Sequence, residues 1–276
     1  MNIVGLGRAG CAIADCFAQY PQYKVFKIDV DISGERCYNV SKQSGPEAYE
    51  QEAPNFSPFF GDIEGETIFI IGGSGYVSAM SLRILEQLRS KCIVDVLYIR
   101  PDVELIGGTK RLHEKVTYNV LQQYARSGAI NRLYLVSNPE VENTMGSVPV
   151  MGYFDALNDF IVSTIHMINV FNNSDPVMGS ASEPVETRRI CTLGTYDMEK
   201  DEEKMFFPLD SVREMRYIYA VSEKVLREDG GLHKKITTQM KGKTTEEMTD
   251  ISFGVYPTNY DSDYGYLLAF SPNIQN

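Results

Sequence analysis

Apolar residues in the first half of the chain come in short blocks separated by helical stripes. Asn2–Val4 is a short apolar strand, Gly5-Leu6-Gly7-Arg8-Ala9-Gly10 a turn, and Cys11–Tyr20 a helix with Ile13 and Phe17 on one face, stopped by Pro21. Tyr23–Asp29 reads as a second strand, and Ser41–Phe60, rich in Pro, Ser and Glu, as irregular. Thr67–Ile71 is a buried strand ending in Gly72-Gly73-Ser74-Gly75, and Val77, Met80, Ile84, Leu85 and Leu88 then form a helical stripe. Ile93–Ile99 is a strand, Arg111–Ala125 a helix and Leu133–Val136 a strand closed by Ser137-Asn138-Pro139. A long helix from Gly152 to Phe171 follows, roughly 30 Å at 1.5 Å per residue. Strands alternating with helices predict a parallel sheet covered on both faces.

The pattern then changes. Asn172–Thr187 reads as a linker, Arg189–Thr195 as a strand and Asp197–Lys204 as a charged, solvated loop. Tyr217–Val221 is a strand, Leu232–Met240 a short helix, and Ile251–Tyr256 and Tyr264–Phe270 two strands that Thr258–Asp263 joins as a hairpin. The expected fold is α/β. A Rossmann-like parallel sheet and the long central helix fill residues 1–172, and a smaller α+β domain fills 188–276.

Composition narrows the function classes. The 276 residues carry a net charge of −11, and no basic patch stands out, which argues against a nucleic-acid partner. The five cysteines (Cys11, Cys16, Cys37, Cys92 and Cys191) are scattered without a C-x-x-C pair, as expected in a reducing cytoplasm. The apolar run Phe160–Phe171 is too short and too polar to span a bilayer, and the chain opens directly into a strand. His113, His166 and His233 are isolated, so no zinc site is expected.

The chemical signal lies in two glycine loops at strand ends. Gly5-x-Gly7-x-x-Gly10 lets backbone approach a phosphate at a helix N-terminus. Asp29 follows Gly10 by 19 residues, where a dinucleotide site places an acid for a ribose hydroxyl, so this loop alone favours NAD. Gly72–Gly75 is a second loop at the same kind of strand end. Two loops converging on one polyphosphate suit a nucleoside triphosphate. Phe154 and Asn158 are one helical turn apart and together make a plausible purine reader. The alternative places Phe154 in the core stripe with Leu157 and Ile161.

The order of these parts resembles the tubulin/FtsZ superfamily over Met1 to about Phe270, bacterial FtsZ most of all. Met1–Asp15 resembles its opening glycine loop, which touches the nucleotide through the positions of Gly7, Arg8, Ala9 and Gly10. Ile68–Gly75 resembles the strand and phosphate loop, and Arg100-Pro101 with Thr109-Lys110-Arg111 the loop whose arginine reaches the nucleotide. Leu135–Asn138 resembles the Ile-Pro-Asn whose asparagine contacts guanine, and Phe154–Asp159 the start of the central helix. The resemblance implies GTP or GDP with Mg2+, held by Gly7, Arg8, Ala9, Gly10, Gly72, Gly73, Ser74, Gly75, Arg111, Asn138, Phe154 and Asn158. It also implies self-association, or association with another FtsZ/tubulin-like subunit, into head-to-tail filaments.

Two departures stand out. Gly-Gly-Ser-Gly runs into Tyr76-Val77-Ser78-Ala79 rather than Thr-Gly-Thr-Gly, so the phosphate loop is shortened. The family's acidic Asn-x-Asp-x-x-Asp motif after the central helix is missing, and the spacing of Asp175, Glu183 and Glu186 singles out none of them as a substitute. The catalytic residues are therefore unassigned, and a weak GTPase and a non-hydrolysing scaffold or modulator of a host filament both stay open. So does an NAD-dependent Rossmann oxidoreductase. The compactness resembles that of phage- or plasmid-borne relatives.

Overall fold

The chain begins with β1 (Asn2–Leu6), α1 (Gly7–Phe17), β2 (Lys24–Asp29), β3 (Cys37–Asn39), α2 (Pro46–Gln51) and β4 (Gly65–Gly72). A 3-10 turn over Tyr76–Met80 leads into α3 (Ser81–Leu88), then β5 (Cys92–Arg100), α4 (Gly108–Arg126), β6 (Arg132–Ser137), α5 (Asn138–Met145) and α6 (Tyr153–Asn172). The computed structural model describes residues 1–180, 182–243 and 249–276. It divides into two compact units, Met1–Val162 and Ser163–Asn276, with the division point inside α6.

The first unit is a parallel sheet in the order β3-β2-β1-β4-β5-β6. All five β1 residues are buried, as expected for a strand covered on both faces. β1 pairs with β2 on one side and β4 on the other, Leu6 lying opposite Ile28 and Ile71. The sequence runs outward from β1 in one direction and then from β4 in the other. This reversal between β1 and β4 is the topological switch point of a doubly wound sheet.

The second unit adds β7 (Met178–Ser180), β8 (Ile190–Asp197), β9 (Glu202–Met205), β10 (Glu214–Ser222), α7 (Glu223–Glu228), α8 (Leu232–Lys243), β11 (Asp250–Thr258) and β12 (Tyr264–Ser271). Its strands run β9-β8-β12-β10-β11-β7, antiparallel except for the β10–β11 pair. The core gathers Tyr196, Tyr217, Tyr219, Val221, Val255 and Leu267 against Ile236 and Met240 of α8.

Five local expectations are corrected. β11 and β12 form no hairpin: β10, buried at eight of its nine residues, lies between them, with Ile218 opposite both Gly254 and Tyr266. The connection passes the end of β10, where the Ser222 amide donates to Asp263 Oδ1 at 2.8 Å. Asp197–Lys204 is a strand-to-strand turn rather than a loop, because β8 runs on to Asp197 and turns into β9, although Glu199, Lys200, Asp201, Glu202 and Lys204 are exposed as expected. The Asp197 carboxylate accepts the Glu199 and Lys200 amides at that turn, while Asp201 and Glu203 pair with Lys243.

Helices also form where turns were expected. Pro46 and Pro139 each stand in the first turn of a helix, where a missing N–H costs nothing, so Ser41–Phe60 contains α2 and Asn138-Pro139 opens α5. The Asn172–Thr187 linker contains β7, and its Ala181 lies outside the described residues.

Candidate functional site

The carboxyl ends of β1, β4, β5 and β6 share one edge of the parallel sheet, and the predicted site residues gather along it. α1 starts at Gly7 itself, so Gly7, Arg8, Ala9 and Gly10 form its first turn, whose amides have no partner within the helix. Gly7 has φ +69°, a left-handed conformation that favours glycine. A Cβ on Gly10 would meet the Ile70 carbonyl oxygen at 2.5 Å, so glycine here lets α1 lie directly on β4.

The two glycine loops touch. A Cβ on Gly72 would stand 3.0 Å from Ala9 Cβ, and one on Gly7 would stand 3.6 Å from Val77 Cβ. Arg8, Ala9, Gly75 and Tyr76 are exposed, while Gly7, Gly10 and Gly73 are buried. Part of the second loop is committed internally. The Gly73 amide donates to the Ile99 carbonyl at 3.0 Å and the Ser78 amide to the Gly75 carbonyl at 3.1 Å. Ser78 Oγ donates to the Gly72 carbonyl at 2.7 Å.

The helix starts along this edge differ in charge. Helix N-termini attract acids, and α2, α5, α6 and α7 each carry one in the first turn. The helical turns that follow β1, β4 and β5 carry none, and the first turns of α1 and α4 instead present Arg8, Lys110 and Arg111. Arg111 is exposed and donates to the Val103 carbonyl, which ties down the loop after β5. Asp29, at the end of β2, is half-buried and accepts the Val30 amide at 2.8 Å. Burial raises its pKa, and the nearby Arg8 guanidinium works against that rise.

Asn138 is half-buried in the first turn of α5, at the end of β6. The start of α6 is fixed at the same edge through Tyr153. Its hydroxyl donates to Glu142 Oε2 at 2.6 Å, and burial, with Glu142 and Asp102 nearby, pushes its pKa up to about 12. Phe154 is 63% exposed while Leu157 and Ile161 are fully buried, so Phe154 does not belong to the core stripe. Asn158 is half-buried one turn further on.

Sequence reasoning missed what supports the second loop. Glu114 of α4 is buried, 2% exposed, and accepts the Tyr98 hydroxyl at 3.0 Å. It also pairs with Arg100 Nε at 3.2 Å, and the Arg100 guanidinium lies 4.8 Å from the centre of the Tyr118 ring. The Tyr98 hydroxyl abuts Gly73, whose Cβ, if present, would also meet Tyr98 Cζ at 2.9 Å and Glu114 Cγ at 3.0 Å. Burial and the Glu114 charge hold the Tyr98 pKa well above its ordinary value. The available signal was Glu114 itself, a charged residue on the stripe of Tyr118, Leu121 and Ala125.

The same fold occurs in solved structures across 98% of the chain. A GTPγS-form protofilament of Bacillus thuringiensis serovar israelensis TubZ is similar at TM-score 0.75 and 14% identity, with 86% of that chain covered. The chain has the tubulin/FtsZ fold. An M. jannaschii FtsZ dimer matches at TM-score 0.68 and 12% identity, and a GTPγS-bound protofilament of CetZ2 from Haloferax volcanii at 0.67 and 12%, with 87% and 92% of those chains covered. No protein-family model matches the sequence, and no curated protein does either. Among the described residues no group of three or more His, Cys, Asp or Glu gathers to hold a metal, and no helix is long and apolar enough to cross a membrane.

Proposed function

We propose that the chain is a divergent, cytoplasmic tubulin/FtsZ-family protein that binds a guanine nucleotide at the switch point between β1 and β4 and assembles head to tail. The observation carrying this reading is the contact at one sheet edge between two glycine loops whose following helical turns, α1 and the 3-10 turn, carry no acid, in a chain with net charge −11. Free amides and Arg8 face that edge, and a polyphosphate supplies the charge that the acid-free ends attract. Phe154 offers a ring for a purine, with Asn158 and Asn138 as amide partners. Mg2+ would enter with the phosphates, which supply oxygen ligands for it.

Purified protein is assayed for bound nucleotide, then titrated with labelled GTP against NADH. Retained guanine nucleotide near one per chain supports the reading; NADH binding without GTP binding overturns it. Sedimentation and electron microscopy with and without GTP test assembly, which monomers in both states refute.

A second reading, a non-hydrolysing scaffold or modulator, draws on the second loop. One of its amides, that of Gly73, is bound to the Ile99 carbonyl, and Asp175, Glu183 and Glu186 after α6 all lie exposed. Co-pelleting that occurs only with a host filament distinguishes it.

A further inference from the structure

The first unit holds a cleft that the nucleotide reading leaves unused. Its volume is about 250 Å3, and its walls are α2, the 3-10 turn with the start of α3, and α4. That is smaller than the roughly 300–1,000 Å3 of a site built around a drug-sized ligand. It suits apolar side chains projecting from a partner helix better than a whole cofactor.

One wall belongs to a helix with two apolar faces. α4 buries Tyr118, Leu121 and Ala125 against its own sheet. A second stripe, Leu112, Val116 and Val120, follows the i, i+4, i+8 spacing of a packing face and lines the cleft. Yet Leu112 is 64% and Val116 52% exposed. Within the cleft, His113 Nδ1 is sealed from solvent without a hydrogen-bond partner, which is uncommon for a buried polar atom.

The opposite wall sets the charge of the occupant. Glu47 and Glu50 of α2 line the cleft, both exposed and, among the described residues, neither in an ion pair, while the exposed cations Lys110, Arg111 and Lys115 belong to α4 on the other side and do not line it. A partner helix that carries lysines beside its apolar residues complements these two carboxylates. We propose that the cleft docks an amphipathic helix of another protein, its apolar face on Leu112 and Val116 and its basic residues against Glu47 and Glu50.

The test uses the full chain with labelled histidines, of which there are three, so that His113 reports directly on the cleft. The probe is a synthetic helical peptide with a leucine stripe flanked by lysines, and its control carries glutamate in place of each lysine. The His113 resonances are expected to shift with the lysine peptide and the glutamate peptide to bind at least tenfold more weakly. Leu112→Ser, and Glu47→Lys with Glu50→Lys, should each weaken binding at least tenfold, the first with the melting temperature unchanged. The same charge reversal at Glu199 and Glu202 should leave binding nearly intact. Equal binding of both peptides, binding that leaves His113 unmoved, or no binding overturns the proposal. Self-association of the free chain that Leu112→Ser abolishes makes a second copy the occupant and overturns it too.

Discussion

Gly73→Ala tests whether the second glycine loop rests on the buried Tyr98–Glu114–Arg100 group. The new methyl group would fall inside contact distance of the Tyr98 hydroxyl, 2.9 Å from Tyr98 Cζ and 3.0 Å from Glu114 Cγ. Both neighbours are held. The Tyr98 hydroxyl is bonded to a carboxylate, and that carboxylate is fixed by Arg100. Overpacking of this kind costs about 1–3 kcal/mol. Tyr98→Phe removes the hydroxyl that the methyl strikes, but deprives the buried Glu114 of a donor, at about 1–2 kcal/mol. The double variant should therefore lose less than the sum of the singles, with a coupling of about 1 kcal/mol, because Cζ still crowds the methyl.

Urea denaturation of the four proteins measures this cycle. Gly10→Ala and Gly107→Ala frame it: the first strikes the Ile70 carbonyl, which no side-chain truncation relieves, and the second meets nothing within 4 Å. Gly107→Ala should stay within about 0.5 kcal/mol of the parent. Labelled-GTP titration should show the same partial rescue if the loop cradles phosphate. Additivity of Gly73→Ala and Tyr98→Phe within about 0.3 kcal/mol would refute the claim that Tyr98 braces the loop.

Three further outcomes follow from exposure, ion pairing and burial. Phe154→Ala should leave urea stability within about 0.5 kcal/mol, since the ring is exposed. It should still weaken guanine-nucleotide binding by about 1–3 kcal/mol in a fluorescence titration, the usual worth of a base on an aromatic ring. Arg188→Met strands Glu214, which is buried and 3.0 Å from Arg188 Nη1, and should cost about 3–5 kcal/mol by thermal or urea unfolding; adding Glu214→Gln should recover part of it. Burial raises the Asp95 pKa from 3.8 to about 6 despite the hydrogen bond from Asn131. Because the folded pKa is the higher, this group favours folding below pH 4 and loses that contribution as pH rises through 6. The difference amounts to about 3 kcal/mol. In urea titrations Asp95→Asn should gain on the parent by about that amount between pH 4 and pH 7, and parallel pH profiles would contradict it.

Periodicity alone made the β-α alternation of the first unit legible, because strands buried on both faces read as solid apolar blocks and their helices as stripes. It failed where pairing partners are distant in sequence. Tyr264–Ser271 follows Asp250–Thr258 across a short polar turn, the pattern of a hairpin, yet both strands choose β10 because its buried residues need a neighbour on each side. Asp197–Lys204 reads as a loop because its charges are visible in sequence, whereas the lysine and tyrosines that donate to its acids are not. Lys243 reaches Asp201 and Glu203 from α8, and Tyr196 and Tyr217 donate to the same two acids from β8 and β10.

The candidate site divides along the same line. Each glycine loop is visible from its own few residues, but their contact is not, since it depends on β1 and β4 being neighbours while β2 and β3 intervene in the chain. Strand order makes the difference between two separate turns and two loops in contact. Moving β4 one place outward would leave each loop's sequence intact and separate Ala9 from Gly72, and the single site proposed for a nucleotide would be lost with that contact.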